Sequence, residues 1–231
     1  MPEPDLQLFA LRGLPLIQQG DDLAALIADS LHLNGLTLQT GDVLIITSKI
    51  VSKAEGRLVD LRTVQPSAQA AQVAAQTGKD ARLVELVLRE AQGISRQGGK
   101  VLITRHRLGF VSANSGIDQS NVRGDDDWAL LLPKNPDESA RRLRERIGAL
   151  CGVLPAVILS DTHGRPHRLG NVGVAVGVAG IAALLNLRGK ADLFERRLQH
   201  TEIGVADELA AAASLMMGQA AERRLRACPS C

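Results

Sequence analysis

The sequence predicts a fold built from both helices and strands. Three observations carry this reading. Short apolar runs of strand length, such as DVLIIT at 42–47 and AVIL at 156–159, alternate with stretches of helical period. Two strand-like runs, KVLITRHR at 100–107 and GFVSANSG at 109–116, stand next to one another. Neither the P-loop pattern G-x-x-x-x-G-K-[ST] nor the Rossmann pattern G-x-G-x-x-G occurs in the chain. The 231 residues suit one large domain or two small, interlocked ones.

Composition narrows the function. Aromatic residues make up 2% of the chain, with no Tyr and one Trp, so base stacking is nearly excluded as a way of holding nucleic acid. A net charge of +2 without a long basic run argues the same way. Three cysteines are too few for a disulfide framework in a chain of this size. The N-terminus lacks the basic-then-apolar order of a signal peptide, and no apolar run reaches the roughly 18 residues of a membrane span. The expectation is a soluble, cytoplasmic protein with no nucleic-acid or membrane partner.

Taken in order, LQLFALR at about 5–11 reads as a first strand. Leu14, Pro15, Leu16 and Ile17 then form an apolar elbow whose geometry is set at Pro15, either as a packed connector or as a ligand contact. Asp21 or Asp22 caps a helix with Leu23, Leu26, Ile27 and Leu31 on its apolar face. After the buried strand 42–47 come Ser48, Lys49 and Lys53. Two lysines four apart on a helical turn face one way and can meet a phosphate chain, or can simply be solvated. Residues 66–94 read as two helices, the second with Leu83, Val84, Val87 and Leu88 as its stripe.

Asp118 follows a Gly-containing turn after a strand, with Ser115, Ser120 and Asn121 around it. Asp161 has the same setting, just past the strand 156–159, in the polar run Ser160-Asp161-Thr162-His163-Gly164-Arg165. Hard divalent cations take few protein ligands, mostly carboxylate and hydroxyl oxygens, so two carboxylates from separate strand ends fit Mg²⁺ or Mn²⁺. Aspartates in ordinary turns fit the pattern too. The acidic run 125–127 reads as solvated surface. Trp128 to Leu132 reads as a strand, and Asn135-Pro136 opens a helix. Gly170, Gly173, Gly177 and Gly180 read as a strand where other backbone packs closely. Residues 188–198 read as a charged connector, and a helix runs from Val205 past Met216 and Met217.

With these residues assembled, the chain resembles the coenzyme F420-0:L-glutamate ligases, the γ-glutamyl ligase family called CofE. GLPLIQQGDDLAALI, GDVLIITSKIVSKAEGR, GFVSANSGIDQSNV, LLPKNPDESARRLR, VILSDTHGRPHRLGNVGVAVGVAGI and VADELAAAASLMMGQA carry the resemblance, in the family's order, over roughly residues 8–220. It implies two interlocked α+β subdomains, a homodimer, and one ligase domain over 1–220 followed by a divergent basic tail at 221–231. It implies a GTP-dependent ligase that joins L-glutamate to the lactyl carboxylate of coenzyme F420-0 through an acyl phosphate, then extends by γ-linkage. Mg²⁺ or Mn²⁺ would assist, with K⁺ as a helper.

Carried over by motif, Leu14, Pro15, Leu16 and Ile17 would touch the guanine nucleotide, and Ser48, Lys49 and Lys53 its phosphates. Asp118 and Asp161 would be catalytic with Lys49 and would ligate one divalent ion. Thr162 and Gln219 would ligate a second. Asn121, Met217, Gly218 and Gln219 would complete the nucleotide contacts. Arg165 or Arg168 can clamp a substrate carboxylate or phosphate. The chain departs from the family pattern after Ala220, where a closing strand is expected, and at Glu195, where a glycine is expected. Two other readings remain beside the ligase: a nucleotide- or deazaflavin-binding homologue without turnover, and a ligase for a different acid and amino acid.

Overall fold

The computed structural model describes residues 6–120, 122, 126–164 and 167–217. Two large hydrophobic cores and a smaller cluster of Ile158, Ala206 and Ala210 organise them, and the chain leaves the first core to build the second before returning. Helix α1 (Leu23–Leu33) begins at Asp22, whose carboxylate accepts from the Ala25 N–H at 3.2 Å. Strand β1 (Val43–Thr47) leads directly into α2 (Ser48–Ala54). The short strand β2 (Leu58–Asp60) then carries the chain to α3 (Ala68–Thr77) and α4 (Ala81–Glu90). Strands β3 (Ala91–Gly98), β4 (Val101–His106) and β5 (Val111–Ala113) form an antiparallel sheet. Strand β6 (Trp128–Leu130) pairs back on β2.

The return is made by α5 (Pro136–Cys151), β7 (Ala156–Gly164) and β8 (Asn171–Ala179). Strand β7 lies between β1, which it pairs in parallel, and β8, which it pairs antiparallel. A hairpin of β9 (Leu185–Asn186) and β10 (Glu202–Ile203) precedes α6 (Val205–Met217).

Each core follows from amphipathic periodicity. In α4, Leu83, Val84, Leu86 and Val87 are buried and meet Ala70, Val73 and Ala74 of α3 and Leu102 of β4. The first core joins Leu23, Ile27 and Leu31 of α1 to Ile147 of α5 and to Val157 and Leu159 of β7. Val157, Ile158 and Leu159 have no exposed surface at all. Leu159→Ala would therefore cost about 2–5 kcal/mol.

The glycines of β8 do what the sequence implied. A Cβ at Gly177 would lie 2.5 Å from the Pro136 backbone, and one at Gly173 would lie 2.5 Å from the Ala210 carbonyl, so α5 and α6 pack directly on this strand. Side chains also satisfy the strand's backbone. Asp137 and Asp207, each in the first turn of its helix, accept from the Val178 and Ala175 N–H groups at 2.8 Å.

Four expectations need correcting. Residues 6–11 form no strand, because no ladder partner reaches them among the described residues; Leu6 and Phe9 are each 62% exposed. The second helix ends at Glu90, and Ala91–Gly98 pairs as β3 through two register shifts. The connector 188–198 is a hairpin arm in which the Gly189 N–H donates to Leu198 O and Leu198 N–H to Lys190 O. At its tip Glu195 takes a φ of 63°, a left-handed value that explains the expected glycine there. Finally, β7 does not stop at Leu159: the ladder with β8 continues to Gly164, so Asp161 and Thr162 belong to the strand itself. Residues 218–231, which include the divergent tail, lie outside the described residues.

Candidate active site

A cleft of about 3030 Å³ opens between β1, the end of β7 and the outer face of the β3-β4-β5 sheet. Alternation along β4 makes that face. Leu102, Thr104 and His106 point into the second core, while Val101 and Ile103 line the cleft. Lys49, Asp118, Asp161 and Thr162 all line it, from three separate parts of the chain. Beside them lies a hollow of about 10 Å³, bounded by Ser48, Lys49, Gly116, Asp118 and Asp161. That is close to the space of a single water.

The two carboxylates arrive by different routes. Asp161 is held within the β7 ladder opposite Val174 of β8. Asp118 is delivered by a left-handed turn in which Asn114, Ser115 and Gly116 have φ values of 50°, 52° and 66°. Two non-glycine residues in that region carry strain that the surroundings must hold. Ser115 supplies the hold: its N–H donates to Thr104 Oγ1 at 3.0 Å and its hydroxyl to Val87 O at 3.1 Å. Beyond the turn, Asp118 and Leu130 exchange backbone hydrogen bonds of 3.0 and 2.8 Å. Gly116 brings the turn up to the other carboxylate, since a Cβ there would lie 3.7 Å from Asp161 Oδ2 and 2.8 Å from Leu132.

Electrostatics bind the set together. Lys49 Nζ lies 2.6 Å from Asp118 Oδ2 and donates to Ser120 O at 2.9 Å. The Ser120 N–H and hydroxyl both donate to Asp118 Oδ1 at 2.7 Å. Burial pushes the Asp118 carboxyl up, but Lys49 and Ser120 outweigh it and hold it below the ordinary aspartate range. Lys53, one turn along α2, is shifted down by burial and by Lys49, and is partly restored by Asp118. Asp161 Oδ2 accepts from His163 Nε2 at 3.0 Å.

The other expected residues divide. Leu14 is half-buried against the first core and lines the cleft. Ile17 is packed into that core, which favours the connector reading for it, while Pro15 and Leu16 face solvent, Leu16 being 90% exposed. Neither Ile17 nor those two is among the residues lining the cleft. Ser48 is buried beside the hollow, and Met217 lines the cleft from α6. Asn121, Arg165, Gly218 and Gln219 lie outside the described residues.

Among the described residues no group of three or more His, Cys, Asp or Glu comes together to hold a metal. Two carboxylates and a buried hydroxyl beside a water-sized hollow still fit a hard divalent ion that takes its remaining ligands from water and phosphate oxygen.

Sequence reasoning missed a second carboxylate centre. Glu90, at the end of α4, meets Arg57 and Arg107 at 2.9 Å each, and His106 Nε2 at 3.6 Å. Burial pushes its carboxyl up, and the His106 ring, Arg57 and Arg107 bring it down to about 2. Nothing local could have signalled this cluster, because its members come from three separate segments, around Arg57, Glu90 and His106-Arg107.

Comparison with known proteins gives the family. The family described as F420-0:gamma-glutamyl ligase matches residues 13–224. The chain is 48% identical over 217 residues to the coenzyme F420:L-glutamate ligase of Methanothermobacter thermautotrophicus, covering 94% of this chain and 85% of that protein. It is 48% identical over 220 residues to the protein of that name from Methanopyrus kandleri, covering 94% and 84%. With the protein of that name from Methanocaldococcus jannaschii it shares 43% identity over 211 residues, covering 90% and 81%. The chain belongs to the F420-0:gamma-glutamyl ligase family.

Proposed function

We propose that this chain is a GTP-dependent ligase that joins L-glutamate to the lactyl carboxylate of coenzyme F420-0 and then extends the product by γ-linkage. The observation that carries the reading is the meeting of Asp118, Asp161 and Lys49 around one hollow at the edge of the cleft. The cleft is about three times larger than the roughly 1,000 Å³ at the top of the usual range for single-ligand sites, which suits a reaction with three substrates. A homodimer is part of the same proposal: Leu6, Leu8, Phe9 and Val111 leave apolar surface open at the cleft.

The chemistry assigns work to each group. A carboxylate is a poor electrophile. Transfer of the γ-phosphoryl group from GTP to the acceptor carboxylate gives an acyl phosphate and GDP; attack by the glutamate amine then forms the amide and releases phosphate and a proton. Phosphoryl transfer needs positioning and charge neutralisation more than covalent help. Lys49 and Lys53, one turn apart on a short helix, would present two ammonium groups to the nucleotide phosphates, although of the two only Lys49 lines the cleft. Asp118 and Asp161 would hold one Mg²⁺ or Mn²⁺, Thr162 and Gln219 would ligate a second, and K⁺ would act as a helper. When bound, such an ion supplies neutralising charge for the triphosphate. Asp118 also orders Lys49, which otherwise samples many rotamers.

The direct test mixes the protein with GTP, Mn²⁺, L-glutamate and coenzyme F420-0 and measures product mass. Glutamylated coenzyme with one GDP per bond formed is expected. Absence of both product and GDP with every divalent ion tried would refute the proposal.

A further inference from the structure

Asp161 has a neighbour that the ligase chemistry leaves unused. Residues two apart on a strand face the same way, so His163 stands beside Asp161 on β7. A carboxylate oxygen can only accept, so the 3.0 Å contact is a hydrogen bond donated by His163 Nε2 to Asp161 Oδ2. It occupies one carboxylate oxygen and leaves Oδ1 for a ligand. The His163 side chain is only 15% exposed, because its ring rests against Phe110 with centroids 5.2 Å apart and planes tilted by 45°.

Phe110 is itself backed. It lies flat on His106, with centroids 4.8 Å apart and planes 2° from parallel. His106 has no exposed surface and accepts from the Leu108 N–H at Nδ1, 3.0 Å away, so its ring cannot turn without losing that bond. Behind it stands Glu90, tied to Arg57 and Arg107. Three rings thus run in contact from the interior of the second core to a carboxylate of the cleft, crossing between the two halves of the fold.

We propose that His163, braced by Phe110 and through it by His106, is a positioning residue that fixes the Asp161 carboxylate with Oδ1 turned to the cleft. This rests on the metal-dependent ligase reading above. The physical basis is orientation: an aspartate held by one oxygen loses its freedom before a cation or phosphate arrives, and groups that orient a ligating carboxylate typically change metal affinity about 10- to 100-fold when removed.

The test uses His163→Leu, Phe110→Ala and Phe110→Tyr in the full chain, each checked for folding by circular dichroism. The first readout is the side-chain carboxyl ¹³C resonance of Asp161 in metal-free protein at fixed pH; the second is Mn²⁺ affinity by electron paramagnetic resonance. His163→Leu and Phe110→Ala are expected to move the Asp161 resonance, leave that of Asp118 in place and weaken Mn²⁺ binding about 10- to 100-fold. Phe110→Tyr, which keeps a flat ring, is expected to restore both. An Asp161 resonance that stays put, or Mn²⁺ affinity within about twofold of wild type, in folded Phe110→Ala overturns the proposal. If Phe110→Ala does not fold, the same readouts on His163→Leu decide. Wild-type protein that fails to bind Mn²⁺ refutes the metal reading of the cleft, while the carboxyl resonance still decides the role of His163.

Discussion

Two carboxylate centres in this chain are built from similar parts and put to opposite uses. Glu90 is 12% exposed and surrounded by two guanidiniums and an imidazole, so its negative charge is more than matched. Asp118 meets Lys49 and Asp161 meets His163; the two carboxylates are 37% and 25% exposed and border a large cleft. A saturated centre holds segments together. An open one has capacity for charge that arrives from outside. The difference lies in surplus cation and in access, since carboxylate chemistry is common to both.

The comparison can be broken most sharply at the open centre. Asp118→Asn or Asp161→Asn removes a charge with little change of volume, and each is expected to lower turnover by about 10²- to 10³-fold. The melting temperature should stay within about 3 °C of wild type. Steady-state rates and a thermal melt on the same preparations check both halves. Near-normal turnover in either variant would contradict the assignment.

Glu90→Gln should give the reverse pattern. It leaves Arg57, Arg107 and His106 facing a neutral amide, so a stability loss of about 2–3 kcal/mol is expected in urea unfolding, with turnover of the folded enzyme within about threefold. Lys49→Met removes a partly exposed partner of Asp118. It should cost about 1 kcal/mol of stability or less, while raising the KM for GTP by about tenfold. A large stability loss without a change in KM would move Lys49 to the structural side of the comparison.

The smallest effect is in pH. The Glu90 carboxyl titrates at about 2 in the folded chain against an ordinary 4.5. A lowered folded value means that its contribution is complete above 4.5 and is lost as the pH falls from there toward about 2. The stability gap between wild type and Glu90→Gln should therefore be constant above that range and close as acid is added, as measured by urea titrations at stepped pH.

How much of this was legible in the sequence depends on what specifies each part. Burial writes itself into the chain: Val157–Leu159 reads as a core strand, Asn135-Pro136 as a helix start, and the spaced glycines of β8 as close packing. Pairing does not. Ser160 to Gly164 carries no strand pattern, and the ladder with β8 alone makes it one. AQGISRQG lacks alternation and begins where a helical period ends, so β3 was invisible. At the site, the like settings of Asp118 and Asp161 were visible locally, and their convergence was not. The Lys49–Asp118 ion pair, the Glu90 cluster and the contact of His163 with Phe110 each join residues far apart in sequence, which only the tertiary fold brings together.

The central claim is that this cleft activates a carboxylate by phosphorylating it. Coenzyme F420-0 labelled with ¹⁸O in its lactyl carboxylate, turned over with GTP, Mn²⁺ and L-glutamate, reports that step directly by mass analysis of the phosphate released. One ¹⁸O is expected in phosphate for each amide formed at that carboxylate. Label-free phosphate accompanying glutamylated product would contradict it.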